Sequence, residues 1–328
     1  VGAAQAQIAP SRTWPELRDA VQDRADRQAY PLTGMKPADV REILGRVNSL
    51  DRDEWARSWM QTGERYFNEA RSVETSDRPA AREAYLAAWR YFGFGAWPVQ
   101  NSPGKAAAHQ RAIEAFRAYA KLADPPLELL RIPFEGKEII GYLQRPAGAP
   151  RPGPLVISVG GLDSYKEYVC EQYGPDYLKA GLSYLALDMP GTGEAPIKID
   201  VGAERLFSRV LDALRDRPDV DSRRIAFQGV SWGGHWAARM AYAEPARLRA
   251  VVNWAGPTEQ YFQREWQLKA LGTREYLFDL FAARASVYGV STLEAFLEYG
   301  PRMSLAGVLD KPSAPMLLVN GRSSGATR

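Results

Sequence analysis

Ser231 stands between Gly229 and Gly233 in "AFQGVSWGGHWAARM", residues 226–240. The run "RIAFQG" before it reads as a buried strand and "HWAARMAYA" after it as a helix. A serine between small residues at a strand-to-helix junction is the context of a nucleophile elbow, where the backbone turns sharply and presents the hydroxyl to a cleft. Attack on a carbonyl also needs backbone N–H groups aimed at the developing oxyanion. "VISVGGLDSYKE" offers them: Gly160 and Gly161 permit close approach, and the N–H of Gly161 or Leu162 is set to act with that of Trp232, the residue after the serine. The competing reading of this loop, a phosphate cradle, lacks both G-x-G-x-x-G and G-x-x-x-x-G-K-[ST] spacing. The loop "DMPGTGE", Asp188 to Glu194, is expected to shape the cleft without taking part in chemistry.

A serine nucleophile needs a base, and the chain has two histidines. His235 lies four residues after Ser231, one helical turn down, where packing against the sheet is expected. His109, in "KAAAHQRAIEAF", is expected on a solvated helix surface. Glu259 and Glu265, in "GPTEQYFQREWQ", are further candidates to assist or orient. Cys170, the single cysteine, forms no internal disulfide or cysteine-clustered metal site and reads as a small apolar residue. The chemistry calls for no metal and no organic cofactor.

These residues need a frame. From about residue 12 to 124 the pattern is helical, opening with a capping box at Thr13 and Glu16. Trp55, Trp59, Tyr66 and Phe67, then Tyr85, Trp89 and Phe92, recur at helical spacing and are expected to form a core. Asp124-Pro125-Pro126 ends the helices, giving domains of 1–124 and 125–328. Beyond it, "LELLRIPFEG" and "KEIIGYLQRPAG" read as paired strands, followed by "PLVISVGG", "LSYLALDMPG", "RIAFQGVS", "LRAVVNWAG" and "APMLLVNG". Short apolar runs alternating with helices predict an α/β fold, a mainly parallel sheet with helices on both faces. Ligands of such sheets bind beyond the carboxyl ends of the strands, where Ser231 and Gly161 fall.

The motifs "GGLDSYKE", "ALDMPGTGE" and "GVSWGG", behind a helical region and "PPLELLRIPFEGKEIIGYLQRP", resemble the α/β-hydrolases related to 2,6-dihydroxypseudooxynicotine hydrolase. That group takes in the fermentation-respiration-switch esterase-like proteins and fungal hydrolases of polyketide pigment precursors, and the resemblance runs over about residues 36–321. It implies Ser231 as nucleophile, Gly161, Leu162 and Trp232 around the oxyanion, and the N-terminal helices as a cap over the cleft. It implies cleavage of a carboxylic ester or of a carbon–carbon bond next to a ketone, and leaves the choice open.

In such hydrolases an acid follows the seventh strand and a histidine the eighth. Here "APMLLVNG" runs into "RSSGATR", with Ser323 and Ser324 where the acid is expected. The expectation is a chain cut short or altered near residue 321. The alternatives are a rewired triad or a non-catalytic binding protein that keeps the pocket.

Composition narrows the partners. The charge of +3 comes from 42 basic residues interspersed with 39 acidic ones, which gives no nucleic-acid footprint. No apolar run is long enough for a membrane span. A small-molecule substrate is therefore expected, with a homodimer the one protein partnership kept in view. A cytoplasmic location is expected; the small-x-small pattern Ala4-Gln5-Ala6 keeps a periplasmic or secreted one as the alternative.

Overall fold

The computed structural model describes residues 12–273 and 276–321. Ala4-Gln5-Ala6, Ser323 and Ser324 lie outside the described residues. The chain divides into two compact units. One comprises the helical region through Pro126 together with Thr273–Ala282, and the other the sheet-bearing remainder. The sequence places all of 125–328 in one domain; in the structure Thr273–Ala282 groups with the helical unit.

The helical unit contains α1 (Trp14–Asp26), α2 (Pro37–Arg46), α3 (Arg52–Val73), α4 (Arg78–Ala96) and α5 (Pro103–Leu122). Its helix starts are fixed by side chains that satisfy otherwise orphaned N–H groups. Glu16 accepts from the Thr13 backbone N–H at 2.8 Å, Asp51 from Glu54 at 2.8 Å and Asp77 from Ala80 at 3.0 Å. The spaced aromatics do form the core. Trp59 and Phe92 are fully buried, the Trp59 and Phe94 rings meet edge to face at 4.6 Å, and Tyr66 stacks on Tyr91 at 5.3 Å.

The returning segment joins this core through apolar residues. Leu277 is buried, and the Phe278 ring lies 5.1 Å from Trp55 and 5.1 Å from Trp97. Asp279 receives Arg52 through two hydrogen bonds of 3.0 Å and lies 3.5 Å from the buried Lys105 ammonium. Burial lowers the Lys105 pKa to about 8 despite that carboxylate.

The second unit is built on seven strands in the order β1-β2-β4-β3-β5-β6-β7. β1 (Leu127–Phe134) and β2 (Lys137–Gln144) form a hairpin in register Phe134 to Lys137, turning through Glu135 and Gly136 with φ of 48° and 75°. β2 runs antiparallel to β4 (Ser183–Leu187). From β4 through β3 (Gly153–Val159), β5 (Val220–Val230), β6 (Ala250–Trp254) and β7 (Met316–Val319), every pairing is parallel. The strand runs read from sequence all appear, giving an α/β-hydrolase sheet.

Strand order reverses at β3, which lies between β4 and β5. Right-handed crossovers therefore put α6 (Lys166–Gln172) and α7 (Gly174–Lys179) on one face, and α8 (Arg205–Arg215) and α9 (Trp232–Ala243) on the other. The Phe207 ring of α8 lies 6.0 Å from Trp236 of α9, as helices sharing a face require. α10 (Arg264–Leu271), α11 (Leu280–Tyr288) and α12 (Leu293–Tyr299) follow β6. Among the described strands β7 is an edge, with Leu317 and Leu318 about 60% exposed. No described helix is long and apolar enough to cross a membrane.

Candidate active site

The reversal at β3 opens a crevice where the carboxyl ends of β3, β4 and β5 converge. Three loops meet there: Gly160–Tyr165 after β3, Asp188–Glu194 after β4 and the junction at Ser231 after β5.

Ser231 has φ 55° and ψ −124°, an arrangement that costs a non-glycine residue about 1–3 kcal/mol. Its surroundings hold it there: the Ser231 N–H donates to the Trp254 carbonyl at 2.8 Å, and its carbonyl accepts from Gly234 at 2.8 Å. The flanking glycines are required by contact. A Cβ on Gly229 would lie 1.9 Å from the Gly233 carbonyl oxygen, and one on Gly233 would lie 2.3 Å from the oxygens of Gly160 and Val159. The Ser231 side chain is exposed.

Gly161 lies directly beside the serine, where an added Cβ would be 3.3 Å from the Ser231 Oγ. The two loop donors proposed from sequence differ in availability. The Gly161 N–H donates to Ser164 Oγ at 2.8 Å, whereas the N–H groups of Leu162 and Trp232 meet no acceptor among the described residues. Leu162 is thus the loop's open donor, and Gly161 gives close approach.

The structure does not bring the remaining candidates to the serine as partners. His235 is fully buried, and its Nδ1 donates to the Pro257 carbonyl at 3.0 Å. Burial, with Arg239 nearby, lowers its pKa to about 3, so the ring is neutral and a weak base. His109 is buried within the helical unit, which corrects its expected solvated position. Glu259 accepts from Gln263 at 2.9 Å and from the Ser304 hydroxyl. Glu265 is exposed in the first turn of α10. Cys170 is buried, and burial raises its thiol pKa well above the ordinary value.

A charged cluster behind the loops escapes sequence reasoning. Lys166 is wholly buried, and its ammonium lies 2.8 Å from Asp188, 2.9 Å from Glu167 and 2.9 Å from Glu194. Asp188 also accepts from the backbone N–H groups of Lys166 and Glu194, each at 2.9 Å. Burial disfavours the ammonium, but the carboxylates outweigh it and raise the Lys166 pKa well above the ordinary lysine value. Burial and the Asp188 charge raise Glu167 in turn, against the opposing pull of Lys166. The cluster joins the start of α6, directly after the Leu162 loop, to the whole Asp188–Glu194 turn. Its signal was present in "YKE" and "DMPGTGE": four charged residues inside otherwise apolar strand-end motifs.

The chain is similar to known proteins in sequence and fold. The family described as Esterase FrsA-like matches residues 30–311. Esterase FrsA of Photobacterium profundum is 27% identical over 294 residues, covering 88% of this chain and 69% of its own. Hydrolase ORFZ of Pyricularia oryzae is 34% identical over 244 residues, covering 67% of this chain and 56% of its own. Among solved structures, 2,6-dihydroxy-pseudo-oxynicotine hydrolase has a TM-score of 0.72 at 26% identity, covering 86% of this chain and 76% of its own. AbyA5, with a TM-score of 0.69 at 23% identity, shares the fold.

Proposed function

The chain belongs to the FrsA-like esterase family, a family of hydrolases, and from that membership we propose that it is a serine hydrolase working through an acyl-enzyme on Ser231. The observation that carries the proposal is the elbow itself: an exposed serine in strained backbone, with Gly161 beside it and the open N–H groups of Leu162 and Trp232 nearby. In the proposed reaction Ser231 Oγ attacks a substrate carbonyl while a general base takes its proton and later returns it to the leaving group, and the two N–H groups receive the oxyanion. Collapse expels an alkoxide from an ester or a stabilised carbanion from a β-diketone-type substrate, and water then releases the acyl group. The His235 ring is buried and its pKa is lowered to about 3, which makes it a poor base for this attack.

The substrate is a small organic acyl compound. One solved neighbour is a 2,6-dihydroxy-pseudo-oxynicotine hydrolase; for this chain we propose the broader class of esters and ketones cleaved beside the carbonyl. A fluorophosphonate probe tests the nucleophile. It is expected to label the wild-type chain at Ser231, with labelling lost in Ser231→Ala. Labelling at another residue, unchanged by the substitution, would remove Ser231 from this role.

A further inference from the structure

Arg284, on α11, is 9% exposed, and its Nε and Nη1 are buried with no hydrogen-bond partner among the described residues. No carboxylate of the described residues pairs with it. Its guanidinium instead sits over the Tyr261 ring, 5.1 Å from the centroid. A second orphan lies on the same helix: the Tyr288 hydroxyl is buried without a partner among the described residues, and burial keeps it protonated by raising its pKa well above the ordinary value.

Tyr288 borders the residue that follows the nucleophile, and Arg284 is linked to it through Tyr261. The Tyr261 hydroxyl accepts from Trp232 Nε1 at 2.9 Å, and the Trp232 and Tyr288 rings are 5.5 Å apart. The last turn of α11 is tied to the crevice loops. The Val287 carbonyl accepts from Ile199 at 2.8 Å, and a Cβ on Gly191 would lie 2.5 Å from that oxygen.

A buried guanidinium without a counter-ion is costly, because its hydration is lost and nothing replaces it. Here the unmet donors lie in a wall of aromatic rings at the carboxyl ends of the strands, so an anionic ligand would supply the missing acceptor. A carboxylate fits best: it matches the planar guanidinium fork, and its single charge balances that of Arg284. We infer that Arg284, aided by the Tyr288 hydroxyl, is a specificity-determining residue that binds a carboxylate on an aromatic or apolar substrate of the Ser231 site. This inference rests on the Ser231 reading for its location, though carboxylate binding itself is measurable without turnover.

The test compares phenylacetate with its neutral isostere phenylacetamide by titration calorimetry on the full chain. Phenylacetate is expected to bind about 10- to 100-fold more tightly, the range of charge-assisted hydrogen bonds. Arg284→Met should erase the preference, and Arg284→Lys should keep part of it. Where Arg284→Met does not fold, Arg284→Lys carries the test, with weaker binding of the acid and unchanged binding of the amide. Phenylacetate should also protect Ser231 from the fluorophosphonate, which reports location separately from affinity. Equal affinity for acid and amide in the wild type, or a preference that survives in both variants, would overturn the inference. An Arg284-dependent preference in a chain whose Ser231 is never labelled would sink the nucleophile reading and leave the carboxylate site standing.

Discussion

Replacing Lys166 with methionine keeps an unbranched, slightly shorter side chain and removes its charge. Three carboxylates, of Asp188, Glu167 and Glu194, then face a vacated position from 2.8 to 2.9 Å away. Removing one partner of a buried ion pair costs about 3–5 kcal/mol, a large share of the ~5–15 kcal/mol that holds a typical protein together. Without the cation Glu167, already raised by burial and opposed chiefly by Lys166, holds its proton more tightly in the folded state than in the unfolded one. Stability of Lys166→Met should therefore fall as pH rises through that elevated value, leaving the variant weaker at pH 8 than at pH 5. Urea unfolding followed by tryptophan fluorescence reads both effects. Because the cluster anchors the helix that follows the Leu162 loop, fluorophosphonate labelling of Ser231 should also slow by at least about tenfold, the loss of part of one oxyanion donor. A stability loss under about 1 kcal/mol with no pH dependence would refute the argument that Lys166 is the keystone of these loops.

Two further outcomes follow from the geometry. Gly233→Ala puts a methyl 2.3 Å from two backbone oxygens of the β3 end, so it should cost about 1–3 kcal/mol or more in urea unfolding and abolish labelling of Ser231. His235, with a folded pKa of about 3 against 6.5 unfolded, contributes stability that is complete above pH 6.5. That contribution is lost on acidification toward pH 3, at up to about 1.4 kcal/mol per pH unit. His235→Gln should flatten that slope when unfolding is measured across the same range.

The strands and the elbow were legible in sequence because each is a local pattern. Apolar runs ending in glycine gave β3 to β7, and a serine between glycines at a strand-to-helix junction gave Ser231. Features decided by distant packing were not legible. Thr273–Ala282 carries no mark of the helical unit; only Leu277 and Phe278 meeting Trp55 and Trp97 assign it there. His109 looked like a surface residue because its neighbours in sequence are polar or small, yet its helix face is inward. Lys166 meets Asp188 and Glu194 only after the chain has passed through β4. Arg284, in "AARASVYG", has no local signal at all; what distinguishes it is a buried Nε and Nη1 with no hydrogen-bond partner among the described residues.

The central claim, an acyl-enzyme on Ser231, is tested most directly by mass spectrometry of the chain after brief reaction with p-nitrophenyl acetate. The account predicts an acetyl group on the peptide carrying Ser231, absent from Ser231→Ala and diminished when Gly161→Val crowds the serine. Acetylation confined to other residues, or release of p-nitrophenol at the same rate in Ser231→Ala, would contradict it.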